Sequence, residues 1–295
     1  MNLTIKLILS SIILVPVVSF SETITTIIPF SPGGGADIAF RHFQKYADQK
    51  GITLVAKYKG GADGLIGMKE LEFSPPDSTI GFGTVAAVAE HRKKNPSYQF
   101  EYISVVKTSV MSLVTHQTSK LKTLDELESS VKKVSSISFA YGSPSQKSSI
   151  DQLLQLANAN QNTLKIPYKG SGPLVTDLIG GHVDIAFLPM SVVKTFIDEK
   201  KLILLAVTLR KPMSEFKTIP VLNKKYSNWV NTDGFCILLP QSANSETVFR
   251  WTSLVHGYIN DPTVISDFTA DHSESTTFGK DFMKKIVDTI VIESK

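Results

Sequence analysis

The feature that most constrains the fold is a unit that recurs along the chain: a short apolar strand, a glycine-rich loop and an amphipathic helix. It appears first at Ile27-Ile28-Pro29-Phe30-Ser31-Pro32-Gly33-Gly34-Gly35-Ala36-Asp37, followed by apolar residues at Ile38, Phe40, Phe43, Tyr46 and Ala47. It returns as Thr53–Ala56, Lys59–Gly64 and Leu65–Leu71, and again as Ser78–Thr84 leading into Val85–Arg92. Strands alternating with helices at this spacing predict a parallel sheet covered on both faces, with ligand groups at the carboxyl ends of its strands. The order restarts in mid-chain: Ser136–Tyr141 is a strand, Gly142–Ser148 a polar loop and Ser149–Ala157 a helix. Tyr102–Val106 and Ser109–His116 read as a strand pair carrying the chain between the two sets. Two α/β lobes with a cleft between them follow. The late strand Gly234–Pro240 and the helices Glu246–Ile259 and Lys280–Val287 bury best by returning to the first lobe.

Three consecutive glycines let a ligand approach backbone N–H groups without Cβ in the way. The helix that follows turns unpaired N–H groups and the positive end of its dipole toward the loop, which suits an anion. The stretch has neither the Gly-Lys-Ser/Thr end of a P-loop nor the G-x-G-x-x-G spacing of a dinucleotide fingerprint. A plain turn, with Asp37 as an ordinary helix-start residue, is the alternative. A second site of the same kind lies at Gly170-Ser171-Gly172, with Pro173 reading as the first helical residue and Gly180-Gly181 as the stop.

The remaining composition excludes more than it assigns. Lys6, the apolar run Leu7–Phe20 and Ser19-Phe20-Ser21 read as a secretory signal over residues 1–21, too short for a membrane span. Cys236 is the single cysteine, so an intrachain disulfide or a cysteine-based zinc site is excluded. The formal charge of +4 is scattered among acids, so nucleic acid is not an expected partner. The six histidines show no H-x-x-x-H pairing, and no G-x-S-x-G elbow accompanies Ser171. No metal, cofactor or catalytic residue is expected, and an esterase-like hydrolase is the weaker class.

The chain resembles the substrate receptors of tripartite tricarboxylate transporters, the Bug-type periplasmic binding proteins. The matching residues are Pro29-Phe30-Ser31-Pro32-Gly33-Gly34-Gly35-Ala36-Asp37, then Pro167-Tyr168-Lys169-Gly170-Ser171-Gly172-Pro173, then Asp177-Leu178-Ile179-Gly180-Gly181-His182-Val183-Asp184. Weaker matches at Leu204–Thr208, Ile219-Pro220-Val221 and Gly234-Phe235 keep the family order. The resemblance implies a two-lobe Venus-flytrap of the type II periplasmic-binding-protein-like class, with residues 22–110 and 226–295 as one lobe and 111–225 as the other. It implies a monomer that captures a small carboxylate and passes it to integral-membrane permease subunits, or a receptor that reports to a membrane sensor.

By position, the resemblance assigns ligand binding to Ser31, Gly34, Gly35, Ala36 and Asp37 in the first lobe and to Tyr168, Lys169, Gly170 and Ser171 in the second, with Thr84, Ser148 and Ser149 as further candidates. For Asp37 a role in orienting its own loop stands beside ligand contact, and for Lys169 a solvated surface position does. Ser149 stands where the family has histidine, and Leu188-Pro189 where it often has a polar pair. These departures point to a different distal end of the ligand.

Overall fold

The computed structural model describes residues 22–133, 136–159, 163–209, 212–230, 234–275 and 279–292; the expected signal segment, 1–21, lies outside them. The first part of the chain runs β1 (Glu22–Ile28), α1 (Gly35–Gln49), β2 (Ile52–Tyr58), α2 (Leu65–Glu72), β3 (Thr79–Thr84), α3 (Val85–Lys94) and β4 (Glu101–Ser109). The middle runs β5 (Met111–His116), α4 (Leu124–Val131), β6 (Ser138–Tyr141), α5 (Pro144–Leu156), β7 (Leu164–Pro167), α6 (Ser171–Ile179), β8 (Ile185–Pro189), α7 (Met190–Asp198), β9 (Leu202–Thr208) and α8 (Leu222–Lys225). The chain ends with β10 (Phe235–Leu239), α9 (Ser245–Ile259), α10 (Pro262–Ala270), β11 (Ser273–Ser275) and α11 (Lys280–Ile292).

These strands form two sheets, one ordered β11-β4-β10-β3-β1-β2 and the other β7-β6-β8-β5-β9. Neither is the purely parallel sheet expected from the alternation. β1 pairs parallel with β2 and β3, but β10 returns from the second sheet and inserts antiparallel between β3 and β4. In the second sheet β5 runs antiparallel to both β8 and β9. Nor do β4 and β5 pair with each other: they lie in different sheets, joined only through Val110. That residue is bonded both ways, its N–H donating to the His272 carbonyl at 3.1 Å and its carbonyl accepting from Met190 N–H at 2.8 Å.

Each sheet is covered by its own core. Around the first, Phe43 sits edge-on to Tyr258 (5.0 Å between centroids) and packs with Phe82 and Trp251, in one cluster with Phe40 and Phe268, so the C-terminal helices complete the first core. Strand β8 shows why the second sheet is buried on both faces: Ile185 and Phe187 enter one core, Ala186 and Leu188 the other, the two-residue period of a strand. Trp229 still packs on Phe187 (5.8 Å), and Phe235 opens β10 in the other sheet, so the return crossing falls between them.

Two further departures from expectation have local causes. α5 begins at Pro144, not Ser149, because Ser143 caps it and Pro144 occupies its first turn, where a missing N–H is harmless. The same kind of start, a polar cap followed by proline, here Asp261 and Pro262, creates α10 between the two closing helices that were expected. α6 likewise opens two residues before Pro173, at Ser171.

Candidate functional site

The loops after β1 and β7 meet across the cleft. Ser31 N–H donates to the Lys169 carbonyl at 2.9 Å. Close approach depends on glycine: a Cβ on Gly172 would lie 2.2 Å from the Pro32 carbonyl oxygen, and one on Gly170, whose φ is +153°, 2.8 Å from Ser31 N. Behind this contact lies a narrow cavity of about 30 Å³, partly continuous with solvent, so in this closed arrangement the lobes leave little free space between them.

Five helices start at or beside the cavity, and they differ in what their first amides do. α3 is capped by Thr84, whose Oγ1 accepts from Ala87 N–H at 3.2 Å, and its Val85 N–H donates to the Gly234 carbonyl at 3.0 Å. α5 is capped by Ser143, whose Oγ accepts from Gln146 N–H at 3.4 Å. α7 follows Pro189, and its Met190 N–H is bonded to Val110. α1 and α6 start after Gly34 and Gly170, and neither has a side-chain cap. Their starts adjoin, since a Cβ on Gly34 would lie 3.2 Å from Ser171 N. Two sets of uncapped N–H groups at the positive ends of two helices thus meet at one place, an arrangement suited to an anion.

Polar side chains lock this geometry. The buried Gln146 amide bridges two segments, its Oε1 accepting from Gly142 N–H at 2.6 Å and its Nε2 donating to Ser171 Oγ at 2.7 Å. Ser143 Oγ and Ser145 Oγ share a hydrogen bond at 3.1 Å. The rest of the wall includes Phe30, Met111, Pro189 and Phe235. None of the described lining residues has an ionisable side chain.

Of the residues expected to bind ligand, Gly34, Gly35, Ala36, Thr84 and Ser171 line the cavity. Ser31, Lys169 and Gly170 instead form the contact between the loops. Asp37 lies beneath the glycine loop, 2 % exposed, with Oδ2 accepting from Gly33 N–H at 2.8 Å and Oδ1 from the Tyr58 hydroxyl at 2.7 Å and Arg41 Nε at 3.1 Å. Burial, followed by this hydrogen bond, pushes the Tyr58 hydroxyl up to about 12. Tyr168 donates to Asp177 Oδ2 at 2.7 Å and is likewise pushed up to about 12, first by burial and then by that carboxylate. Ser148 accepts from Gln152 Nε2 at 3.3 Å and faces a different groove, shared with Asp63, Glu90 and Lys93; Ser149 is buried in α5 and lines neither space.

Sequence reasoning missed Ser143, Ser145 and Gln146. The signal was present, since Ser143-Pro144-Ser145-Gln146 has both a Ser-x-x-Gln capping pattern and a proline at the first helical position. Met111 and Ser109 carried no such signal, because they reach the cavity only through the crossing at Val110.

Two α/β lobes, each with its own mixed sheet and with a cleft between them, define a solute-binding protein of the type II periplasmic-binding fold. The solved structure of the periplasmic binding protein BugD superposes with a TM-score of 0.83 over 92 % of this chain and 95 % of that one, at 22 % identity. The chain belongs to the tripartite tricarboxylate transporter family receptors, non-enzymatic solute-binding proteins, whose sequence model matches residues 39–293. Protein BugT of Bordetella pertussis is 27 % identical over 262 residues, 85 % of this chain and 80 % of that protein. An R. palustris protein solved with adipate has a TM-score of 0.83 at 18 % identity, covering 93 % of this chain and 95 % of that one.

Proposed function

We propose that this protein is exported by residues 1–21 to the periplasm. There it captures a small carboxylate between its lobes and delivers it to the integral-membrane permease subunits of a tripartite tricarboxylate-type transporter. The observation that carries the carboxylate reading is the meeting of the uncapped starts of α1 and α6 inside a cavity whose described walls hold no ionisable side chain. An anion there is met by backbone N–H groups that need no reorganisation, in a partly water-excluded space where such dipoles act strongly.

In this reading the units that open and close are residues 22–110 with 226–295, and 111–225, hinged at the crossings near residues 110 and 230. The carboxylate docks on the amides of Gly35 to Asp37 in the open form, and the second lobe closes as Gly170 to Gly172 reach the same group. The test is a thermal-shift and calorimetric series of carboxylates against their neutral amides. A ligand at about 100 times its dissociation constant should stabilise the folded state by roughly 2.7 kcal/mol. Stabilisation by acids but not by amides supports the reading, and equal response to both overturns it.

A further inference from the structure

We infer that His272 and Glu215 form a proton-operated latch between the two units, holding them closed when the imidazole is charged and weakening when it is neutral. The inference rests on the opening and closing described above and on nothing in the ligand's chemistry. His272 stands just before β11 of the first sheet, and Glu215 in the segment after β9 of the second. They meet with Nδ1 of the ring 3.2 Å from Oε2 of the carboxylate. The ring also sits edge-on to Phe216, at 5.7 Å, which belongs to a core of the second sheet. Among the described residues no other ion pair joins residues 22–110 or 226–295 to residues 111–225.

The ring is held from the first unit. His272 has a left-handed backbone, φ +55°, which residues other than glycine seldom adopt. Before it, Asp271 is paired with the fully buried Lys107, whose ammonium lies 5.0 Å from the centre of the Phe268 ring. After it, Ser273 Oγ shares a hydrogen bond with Ser109 Oγ at 3.2 Å, and the His272 carbonyl accepts from Val110 N–H at 3.1 Å. The other charges nearby do not report on closure. Lys194 of α7, 3.9 Å from Glu215 Oε1 and 2.7 Å from Asp198, belongs to the same unit as Glu215, as does the exposed Lys217. His42 faces Asp267 and Asp271 wholly within the first unit. Histidine is the side chain whose ordinary titration falls between pH 5 and 8. With the proton on, closure makes an ion pair that opening breaks; with it off, Glu215 faces a neutral ring. Closure and proton uptake therefore favour each other, and the latch is present at pH 6 and lost as the pH rises toward 8. Glu215 is 44 % exposed, which keeps the effect modest.

The experiment is solvent hydrogen exchange at the Ser31 amide, followed by NMR on the full protein after unfolding and refolding to strip carried-over ligand, with none added. That N–H is bonded to the Lys169 carbonyl across the cleft, so its protection relative to the intrinsic rate at each pH reads closure. Protection should be about two- to fivefold higher at pH 6 than at pH 8 in the unmodified protein. The ratio should fall to one in Glu215→Gln and in His272→Asn, asparagine being a residue that tolerates the left-handed backbone. It should persist in His42→Gln. A ratio of one in the unmodified protein, an unchanged ratio in Glu215→Gln or its loss in His42→Gln overturns the latch and leaves the carboxylate reading standing. Exchange of Ser31 only through global unfolding overturns the latch together with the opening and closing it rests on.

Discussion

The backbone of Ser31 donates to the carbonyl of Lys169 at 2.9 Å, joining a loop of the first sheet to a loop of the second. The side chains of these two residues are incidental to that bond, and what permits it is the glycine spacing around them. Gly172 is the tightest point, because its missing Cβ would stand 2.2 Å from the Pro32 carbonyl oxygen. Gly172→Ala should leave both cores intact while holding the lobes apart. Ligand affinity should fall by about 100-fold, roughly 2.7 kcal/mol. Small-angle scattering should show that ligand no longer contracts the variant; contraction as in the unmodified protein would contradict the closed contact.

Gln146 holds two buried groups at once, the Gly142 amide and the Ser171 hydroxyl. Removing the side chain leaves the Gly142 N–H donor and the Ser171 Oγ acceptor without this partner, a loss of about 1–3 kcal/mol for a buried polar group. Gln146→Ala should therefore lower the urea midpoint. Gln146→Glu keeps the size but sets a negative charge beside the anion position, and should weaken carboxylate binding by at least about tenfold at neutral pH. Titration calorimetry on the two variants separates these effects.

Asp37 is a support for the loop in this structure, with both carboxylate oxygens engaged by Gly33, Tyr58 and Arg41. The Arg41 side chain is exposed, so that ion pair adds little. The bonds to Gly33 and Tyr58 are buried below the loop, and Asp37→Ala should cost about 2–3 kcal/mol of stability in chemical denaturation. Loss of ligand binding in Asp37→Asn with no change in stability would show instead that the carboxylate faces the ligand.

His42 on α1 packs against Phe268 of α10, with its Nε2 3.7 Å from Asp271 and its Nδ1 3.9 Å from Asp267. Burial, and after it the charge on Lys107, holds its pKa below the ordinary 6.5, against the opposing pull of the two carboxylates. The unfolded chain therefore binds the proton more readily than the folded one below about pH 6.5. The contribution of a neutral His42 is present above that value and is lost as pH falls through the lowered folded pKa. The drop in melting temperature between pH 7 and pH 5 should be smaller in His42→Gln than in the unmodified protein, as differential scanning calorimetry would show.

Much of the site was legible because its chemistry is backbone chemistry. Gly33-Gly34-Gly35 and Gly170-Ser171-Gly172 are read from composition alone, since only glycine admits close approach and each run stands before a helical period. The Ser143 cap was equally local, but the polar run Gly142–Ser148 resembles a loop until the proline is read as a helix start. Gly35 shows the limit of such reading. Its small size suggests room for a ligand, yet a Cβ there also meets Pro189 of the second lobe and Phe235 of β10.

The sequence by itself determined the local elements, because helix periods, caps and glycine loops depend on residues a few positions apart. It also carried the family, through motifs that keep their order over most of the chain. Only the tertiary structure decided partners. Tyr58 and Asp37 are 21 residues apart and bonded, and β10 inserts between strands that precede it by more than a hundred residues. Val110 sends neighbouring strands to different sheets. The choice of which capped and uncapped helix ends share a cavity is set by distances in space, and these follow from how the two sheets bury their apolar faces together.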